Sequence, residues 1–428
     1  MLSHEDNAKL TRVGPGTPLG ALFRRYWIPA AMTADVPEPG GAPARVKLLG
    51  EKLVVYRDPE GTLGLMKEHC PHRGASLFYG RNEVGGLRCL YHGWKMGGCG
   101  ALLETPPEPA SSPFTARLRH TAYKVREAGG IIWAYMGPAE AEPPFPRFPW
   151  LDLPAENLLP VKMYQHNNWL QGCEGDLDPA HPNYLHRDFQ VDDRESWAAA
   201  GWQSIAMLMN NGAPEIICEE TPYLMRVAAI RNTGDPATAY VRTTEWAAPF
   251  YAYIATGPHE CQLFKAWQPI DDETCFTFYI HFDPAKPVDR EGAYRNWGHQ
   301  PTQPGWRTDH TLENRHFQDR SMMGHNFSGI VGAAIQDRAV QESMGFIYDR
   351  TQEHLGTSDR AVVFYRRLLL KLMDQLAAGH AAALPGLDPA LDYRQRGSSV
   401  HMPRSRDWHE ADAVLAALER GEALPALA

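Results

Sequence analysis

Two short loops limit what this chain can fold into more than any other feature. They read Cys70-Pro-His72 and Cys89-Leu-Tyr-His92, with sixteen residues between His72 and Cys89. Each loop offers one thiolate and one imidazole, unlike the common zinc finger, in which the cysteines pair first and the histidines second. A [2Fe–2S] cluster with two cysteines on one iron and two histidines on the other needs two such mixed loops facing each other. Exchanging thiolate for neutral imidazole removes negative charge and raises the potential to about −150 to +300 mV, a range suited to passing electrons onward. A glycine follows each histidine, Gly74 and Gly93, and lets the backbone turn tightly there. A four-ligand zinc site remains the alternative reading of these residues. His69 and Cys99 lie outside the pattern and read as bystanders.

The surroundings are β-rich. From Arg45 to Gly137, runs such as ARVKLLG, KLVVYRD, TLGLMKE and GGIIWAYMG have strand length and are separated by Gly, Asn, Asp and Pro. They predict a small antiparallel barrel or sandwich. Residues 140–160 hold six prolines and read as a linker. Beyond it, β-like runs mix with helices. The clearest helix runs from Ala361 to Ala378, with Ser358 near its start and Gly379 just past its end. The expected organisation is an N-terminal segment over 1–38, a β-domain over 39–140, a linker over 141–160 and an α+β domain over 161–428. The glycines of GPGTPLG have the wrong spacing for a dinucleotide loop, and no strand precedes them.

Composition excludes other classes. The formal charge of −9 argues against a nucleic-acid binder. No apolar run approaches the ~20 residues of a membrane helix, and the first ten residues, MLSHEDNAKL, lack the apolar core of a secretory signal. Seven cysteines in 428 residues are too sparse for a disulfide framework. The expectation is a cytoplasmic protein with reduced thiols.

A second constellation lies in NNWLQGCEGDLDPAHPNYLHR, residues 167–187. His181 and His186, with carboxylates just upstream, could form two arms of a 2-His-1-carboxylate triad, which leaves open positions on Fe(II). On a regular helix, positions five apart are about 140° apart and could not share one metal. Pro182 is expected to kink the segment and bring them together. Solvated polar residues in a proline-rich turn are the plainer alternative.

Together, CPHRGASL…CLYHGW and EGDLDPAHPNYLH resemble the Rieske non-haem iron ring-hydroxylating oxygenases, large (alpha) subunit, in particular the phthalate-dioxygenase-like group. GPGTPLGALFRRYW, GGIIWAYMGP and ESMGFIYDRTQEHLGTSDRAV extend the likeness over most of the chain. The resemblance implies an all-β Rieske [2Fe–2S] domain followed by an α+β catalytic domain with a curved antiparallel sheet packed by helices. It implies that Cys70, His72, Cys89 and His92 hold the cluster and that His181 and His186 bind a mononuclear Fe(II). The third ligand falls on Asp337 in AAIQDRAVQESMG, with Asp349 and Asp359 as rivals. Asp178 is implied to bridge the two centres by hydrogen-bonding His181 and His92 of the partner subunit in a head-to-tail homotrimer. Cys173 stands where a small non-thiol residue is expected, close enough to the iron to be oxidised.

The implied activity is O2-dependent hydroxylation of an aromatic substrate, phthalate-like and carboxylated. O-demethylation of an aryl methyl ether is the alternative; a bare electron carrier or a zinc-binding module is more remote. Electrons would come from a separate NAD(P)H-dependent reductase, since the chain has no credible nicotinamide or flavin site. Arg226, Arg231 and Arg242 fall in β-like runs of the catalytic domain, and an arginine grips a carboxylate bidentately. At least one of them is expected to clamp the substrate.

Overall fold

The computed structural model describes residues 2–187, 212–299 and 304–422. It divides into two units: Arg12–Phe145 with Gln268–Asp272, and Met1–Thr11 with Pro146–Trp267 and Glu273–Ala428.

The smaller unit carries ten strands. They are β1 (Trp27–Met32), β2 (Ala44–Leu48), β3 (Glu51–Arg57), β4 (Leu63–Lys67), β5 (Arg81–Glu83), β6 (Gly86–Arg88), β7 (Lys95–Gly97), β8 (Leu102–Glu104), β9 (Ala122–Ala128) and β10 (Ile131–Tyr135). One antiparallel sheet runs β1-β10-β9-β4-β3-β2 and the other β5-β6-β7-β8. The stretch up to residue 38 is therefore not a separate segment. Its strand β1 pairs with β10 in the main sheet of this unit, and all six of its side chains are buried. Only the first helix, α1 (His4–Thr11), packs with the larger unit. The glycine-rich turn caps α2 (Pro18–Phe23), where Thr17 accepts a hydrogen bond from the Gly20 amide at 3.1 Å. A short helix, α3 (Phe114–Arg117), completes this unit.

The larger unit is built on an eight-stranded sheet. Its strands are β11 (Leu158–Gln165), β12 (Glu215–Glu220), β13 (Leu224–Asn232), β14 (Thr238–Ala247), β15 (Tyr251–Thr256), β16 (Gln262–Pro269), β17 (Cys275–Phe282) and β18 (Gly397–Pro403). Their order is β11-β17-β16-β15-β18-β14-β13-β12, and the short β15–β18 contact is parallel. The described helices are α4 (Trp169–Leu177), α5 (Pro182–Leu185), α6 (Arg290–Trp297), α7 (Ala333–Ser343), α8 (Arg360–Ala377) and α9 (Ala411–Glu419). One face of the sheet packs under α6 and α7 through Val161, Leu263, Tyr279, Ala334 and Ile335. The other lies under α9 through Val241, Val400, Val414 and Leu415.

The proline-rich stretch departs from the linker expectation. Phe148 and Trp150 stack with their rings 5.0 Å apart and are buried against Phe264. Proline prevents regular structure there, but it does not prevent aromatic side chains from packing. Helix α8 begins at Arg360, and the expected Ser358 cap is not made. A 3-10 turn over Thr357–Asp359 precedes the helix, and the Asp359 carboxylate accepts from the Gly356 amide instead.

Candidate metal centres

The two mixed loops have matching geometry. The Gly74 amide donates to the Cys70 carbonyl at 2.9 Å, and the Gly93 amide donates to the Cys89 carbonyl at 3.0 Å. Both glycines have φ of +74°, a conformation that a Cβ would strain. Each loop is closed at its far side as well, by the Cys70 amide on Ala75 and the Cys89 amide on Trp94, both at 2.8 Å. The cysteines are buried in the same core as Leu77, Leu87 and Met96. The imidazoles stand half-exposed above them, with His72 and His92 ring centres 4.5 Å apart. Trp94 stacks on His72 at 4.6 Å and 9°.

Electrostatics fit an iron–sulfur cluster at these four side chains. Burial pushes the Cys70 thiol up to about 11 in the metal-free chain, while the His72 and Arg73 amides aimed at its sulfur pull the other way. A coordinated metal deprotonates such a thiol outright, and the two amides then face a negative sulfur. Burial, followed by His72 and Arg73, keeps the His92 imidazole below its ordinary value and so neutral, the form that ligates.

The second site is assembled by α4, α5 and α7. Helix α4 is capped by Asn168, whose side chain accepts from the Leu170 amide at 3.1 Å. It lies close to the sheet because Gly172 has no side chain; a Cβ there would come within 2.1 Å of the Trp267 ring. Buried Arg350 and Arg366 hold Glu174 at 2.9 and 2.5 Å. Burial alone would raise this carboxyl, but the two guanidiniums win and hold it below its ordinary value. Asp176 receives Lys265 Nζ and Trp267 Nε1, both at 2.6 Å.

After α4 the chain breaks at Asp178, not at Pro182. Pro182 opens α5, where its missing N–H would be unsatisfied in any case and its fixed φ favours helix. The expected kink is thus a junction between two helices. It brings His181 and His186 to within 5.2 Å of each other, ring centre to ring centre. Asp337, on α7, meets both: its Oδ1 lies 3.5 Å from His181 Nε2 and 3.2 Å from His186 Nε2. Among the described residues, these three are the group whose ligand atoms converge within 4.8 Å. Burial opposes ionisation of Asp337, but His186 and His181 hold its carboxyl far below the ordinary range. The set is a 2-His-1-carboxylate triad, and its donors suit Fe(II) with open positions.

The other sequence candidates separate clearly. The Asp349 carboxylate caps the Thr351 amide and Asp359 caps Gly356, away from both histidines. The Asp178 carboxylate accepts from the Ala180 amide at 2.7 Å. The bond to His181 that was expected of it is made instead by its main-chain carbonyl, 2.8 Å from Nδ1, with the carboxylate 3.7 Å away. Cys173 is fully buried with its thiol pushed well up by burial, so the oxidation that its position would allow is opposed by lack of access and of thiolate.

Strand alternation divides the three arginines. Arg231 pairs across β13–β14 with Tyr240, and Arg242 with Ala229, which places both on one face of the sheet. Arg226 pairs with Glu245 on the opposite face, where it also reaches Asp412 of α9 at 3.1 Å. Arg226 therefore departs from the expectation of a substrate clamp: it compensates a buried glutamate. Arg231 donates to the Pro179 carbonyl in the loop before His181. Sequence reading missed Lys265, Trp267, Gln336 and the arginines on Glu174. Nothing in their local patterns distinguishes them from ordinary polar residues.

The chain is similar to known proteins over nearly its whole length. The Rieske [2Fe-2S] domain model matches residues 26–121, and the LigXa C-terminal domain like model matches residues 134–425. The oxygenase subunit of phthalate 4,5-dioxygenase from Pseudomonas putida is 39% identical over 96% of this chain and 95% of its own length. That of 3-chlorobenzoate-3,4-dioxygenase from Comamonas testosteroni is 35% identical over 95% and 97%. That of 5,5'-dehydrodivanillate O-demethylase from a Sphingobium species is 34% identical over 97% and 90%. An oxygenase–ferredoxin complex of carbazole 1,9a-dioxygenase shares the fold, with a TM-score of 0.58 at 20% identity over 90% of this chain and 99% of that one. The chain belongs to the Rieske non-haem iron oxygenases, as an oxygenase large subunit of the phthalate-dioxygenase-like group. It is an O2-using oxidoreductase whose cofactors are a [2Fe–2S] cluster and a mononuclear iron. No described helix is long and apolar enough to cross a membrane.

Proposed function

We propose that the protein hydroxylates a carboxylated, phthalate-like aromatic compound and that Arg242, with Arg231 beside it, receives the substrate carboxylate. The observation that carries this reading is a pair of guanidiniums on the sheet face that meets the iron-ligand loop. Burial and then the neighbouring Arg242 lower Arg231 to about 10, and the Arg242 guanidinium makes no ion pair or hydrogen bond among the described residues. A guanidinium without a side-chain partner beside a second cation calls for an anion, and its planar fork fits a carboxylate bidentately. An aryl ether as substrate is the second reading, favoured by the resemblance to the O-demethylase subunit.

In this reading Cys70, His72, Cys89 and His92 hold the cluster, and His181, His186 and Asp337 hold the iron. When bound, the cluster supplies single electrons and the iron activates dioxygen. The chain does the rest: it orients the imidazoles, keeps Asp337 ionised and places the ring by its carboxylate. Two exposed apolar groups support a head-to-tail homotrimer. Leu90 and Tyr91 directly precede His92 in one unit; Tyr184, between His181 and His186, and Val331 stand out in the other. Asp178, whose main-chain carbonyl holds His181 Nδ1, would then offer its carboxylate to His92 of the partner subunit. A separate NAD(P)H-dependent reductase supplies the electrons, and the protein works in the cytoplasm.

Iron and acid-labile sulfide counts on anaerobically purified protein test the site, with about three irons and two sulfides per chain expected. Turnover of aromatic dicarboxylates, with no turnover of uncharged analogues, tests the substrate. Two irons per chain that reconstitution does not raise would remove the catalytic reading. Equal turnover of charged and uncharged rings would remove the clamp.

A further inference from the structure

We infer that Gln336 is the positioning residue that fixes the ligating form of His186, an inference that rests on reading His181, His186 and Asp337 as the iron site. His186 Nδ1 lies 2.6 Å from Gln336 Oε1. A carboxamide oxygen only accepts, so the ring proton sits on Nδ1 and the Nε2 lone pair faces Asp337 at 3.2 Å. The opposite end of the same amide is also committed: Gln336 Nε2 donates to the Ile330 carbonyl at 2.7 Å. Turning the amide over would set its oxygen against that carbonyl and its N–H groups against the ring. The ring would then have to carry its proton on Nε2, pointing at Asp337, where it could not bind a metal. The Ile330 carbonyl therefore selects the amide orientation, and the amide selects the imidazole tautomer. Gln336 is only 5% exposed, so water does not compete for either bond.

The two histidines are oriented by different means. His181 Nδ1 uses the main-chain carbonyl of Asp178, three residues back in its own loop, at 2.8 Å. His186 depends on another helix. Gln336 and Asp337 are neighbours on α7, so one helix supplies both the third ligand and the group that aims the second. The Ile330 loop is tied in as well. Asn326 Nδ2 donates to the same carbonyl at 2.8 Å, and the Phe327 amide donates to Arg187 at 2.9 Å. A shift of α7 would move the carboxylate and release His186 together.

The test uses the cluster-bearing protein with its mononuclear iron replaced by Co(II). Native protein is expected to take up one Co(II) and to show two hyperfine-shifted ring N–H signals protected from exchange, one per histidine. Gln336→Leu is expected to weaken Co(II) binding about 10–100-fold and to lose one of the two signals, with the visible spectrum of the cluster unchanged. Native affinity with both signals present in Gln336→Leu would overturn the inference. Weaker binding with both signals intact would overturn it too, since the loss would then be general loosening rather than release of His186. If native protein binds no Co(II) beside an intact cluster, the iron-site reading itself fails and this inference falls with it.

Discussion

Single side chains decide what the sheet face can bind, and alternation along a strand decides which side chains are there. Arg226 and Arg231 are five apart on β13, an odd number, so they point to opposite faces. Arg242→Met is therefore expected to raise KM for a carboxylated aromatic about tenfold or more, the effect of losing one charge-assisted contact. Steady-state kinetics against oxygen uptake would show it. Arg226→Met is expected to leave KM unchanged and to lower stability by roughly 3 kcal/mol in denaturant unfolding. It strands Glu245, which is 2% exposed and whose carboxyl burial already pushes up to about 7 against the pull of Arg226. The reverse pattern would reassign the two residues.

At the scale of elements, the proposed iron site depends on how closely α4 approaches β16. Gly172→Ala is expected to destabilise the protein by about 3 kcal/mol or more, since the added methyl meets an indole that cannot move within a packed core. It is also expected to lower mononuclear iron occupancy, because α4 carries Asp176 and leads into the ligand loop. Gly14→Ala meets no atom within 4 Å and serves as the neutral control, read by Tm and metal analysis. Strand β17 holds a different device. His281 and His299 face each other at 2.9 Å, both buried, with Lys265 as the nearby cation. Burial, then Lys265, lowers His281 to about 3 from 6.5. The unfolded chain protonates first, so the stability tied to this histidine is complete above about pH 6.5 and is lost progressively as pH falls toward 3. His281→Gln is expected to flatten the fall of Tm between pH 6.5 and 5; an unchanged slope would remove this histidine from the acid response.

For the whole molecule, the proposed trimer separates the two halves of one reaction into different chains. A cluster-less His72→Ala chain and an iron-less His186→Ala chain are each expected to be inactive. Mixed in one assembly, some contacts join an intact cluster to an intact iron of the partner subunit, and activity should return. Recovery on co-expression, with none on mixing preformed homotrimers, would place electron transfer between subunits. No recovery in verified mixed trimers would place it within one chain. The charge distribution adds a contrast. Residues 12–145 hold 16 Lys and Arg against 12 Asp and Glu, a charge of +4, while the whole chain stands at −9. Residues 12–145, which carry the proposed cluster ligands, are thus basic in an acidic protein.

What the sequence determined by itself was the local chemistry. Cysteine, histidine and glycine at fixed short spacings specify a loop whatever surrounds it, so the Cys70–Gly74 and Cys89–Gly93 turns were legible, as were the strand runs around them. His181 and His186 were legible as a pair for the same reason. Asp337 came from motif context, because no spacing rule connects residues some 150 apart. The tertiary structure alone decided how distant residues meet: which arginine shares a face with the ligand loop, that Phe148 and Trp150 pack rather than link, and that Gln336 aims His186. These outcomes follow from register, helix approach and side-chain packing between segments far apart in the chain, and such contacts leave no periodic mark on either segment.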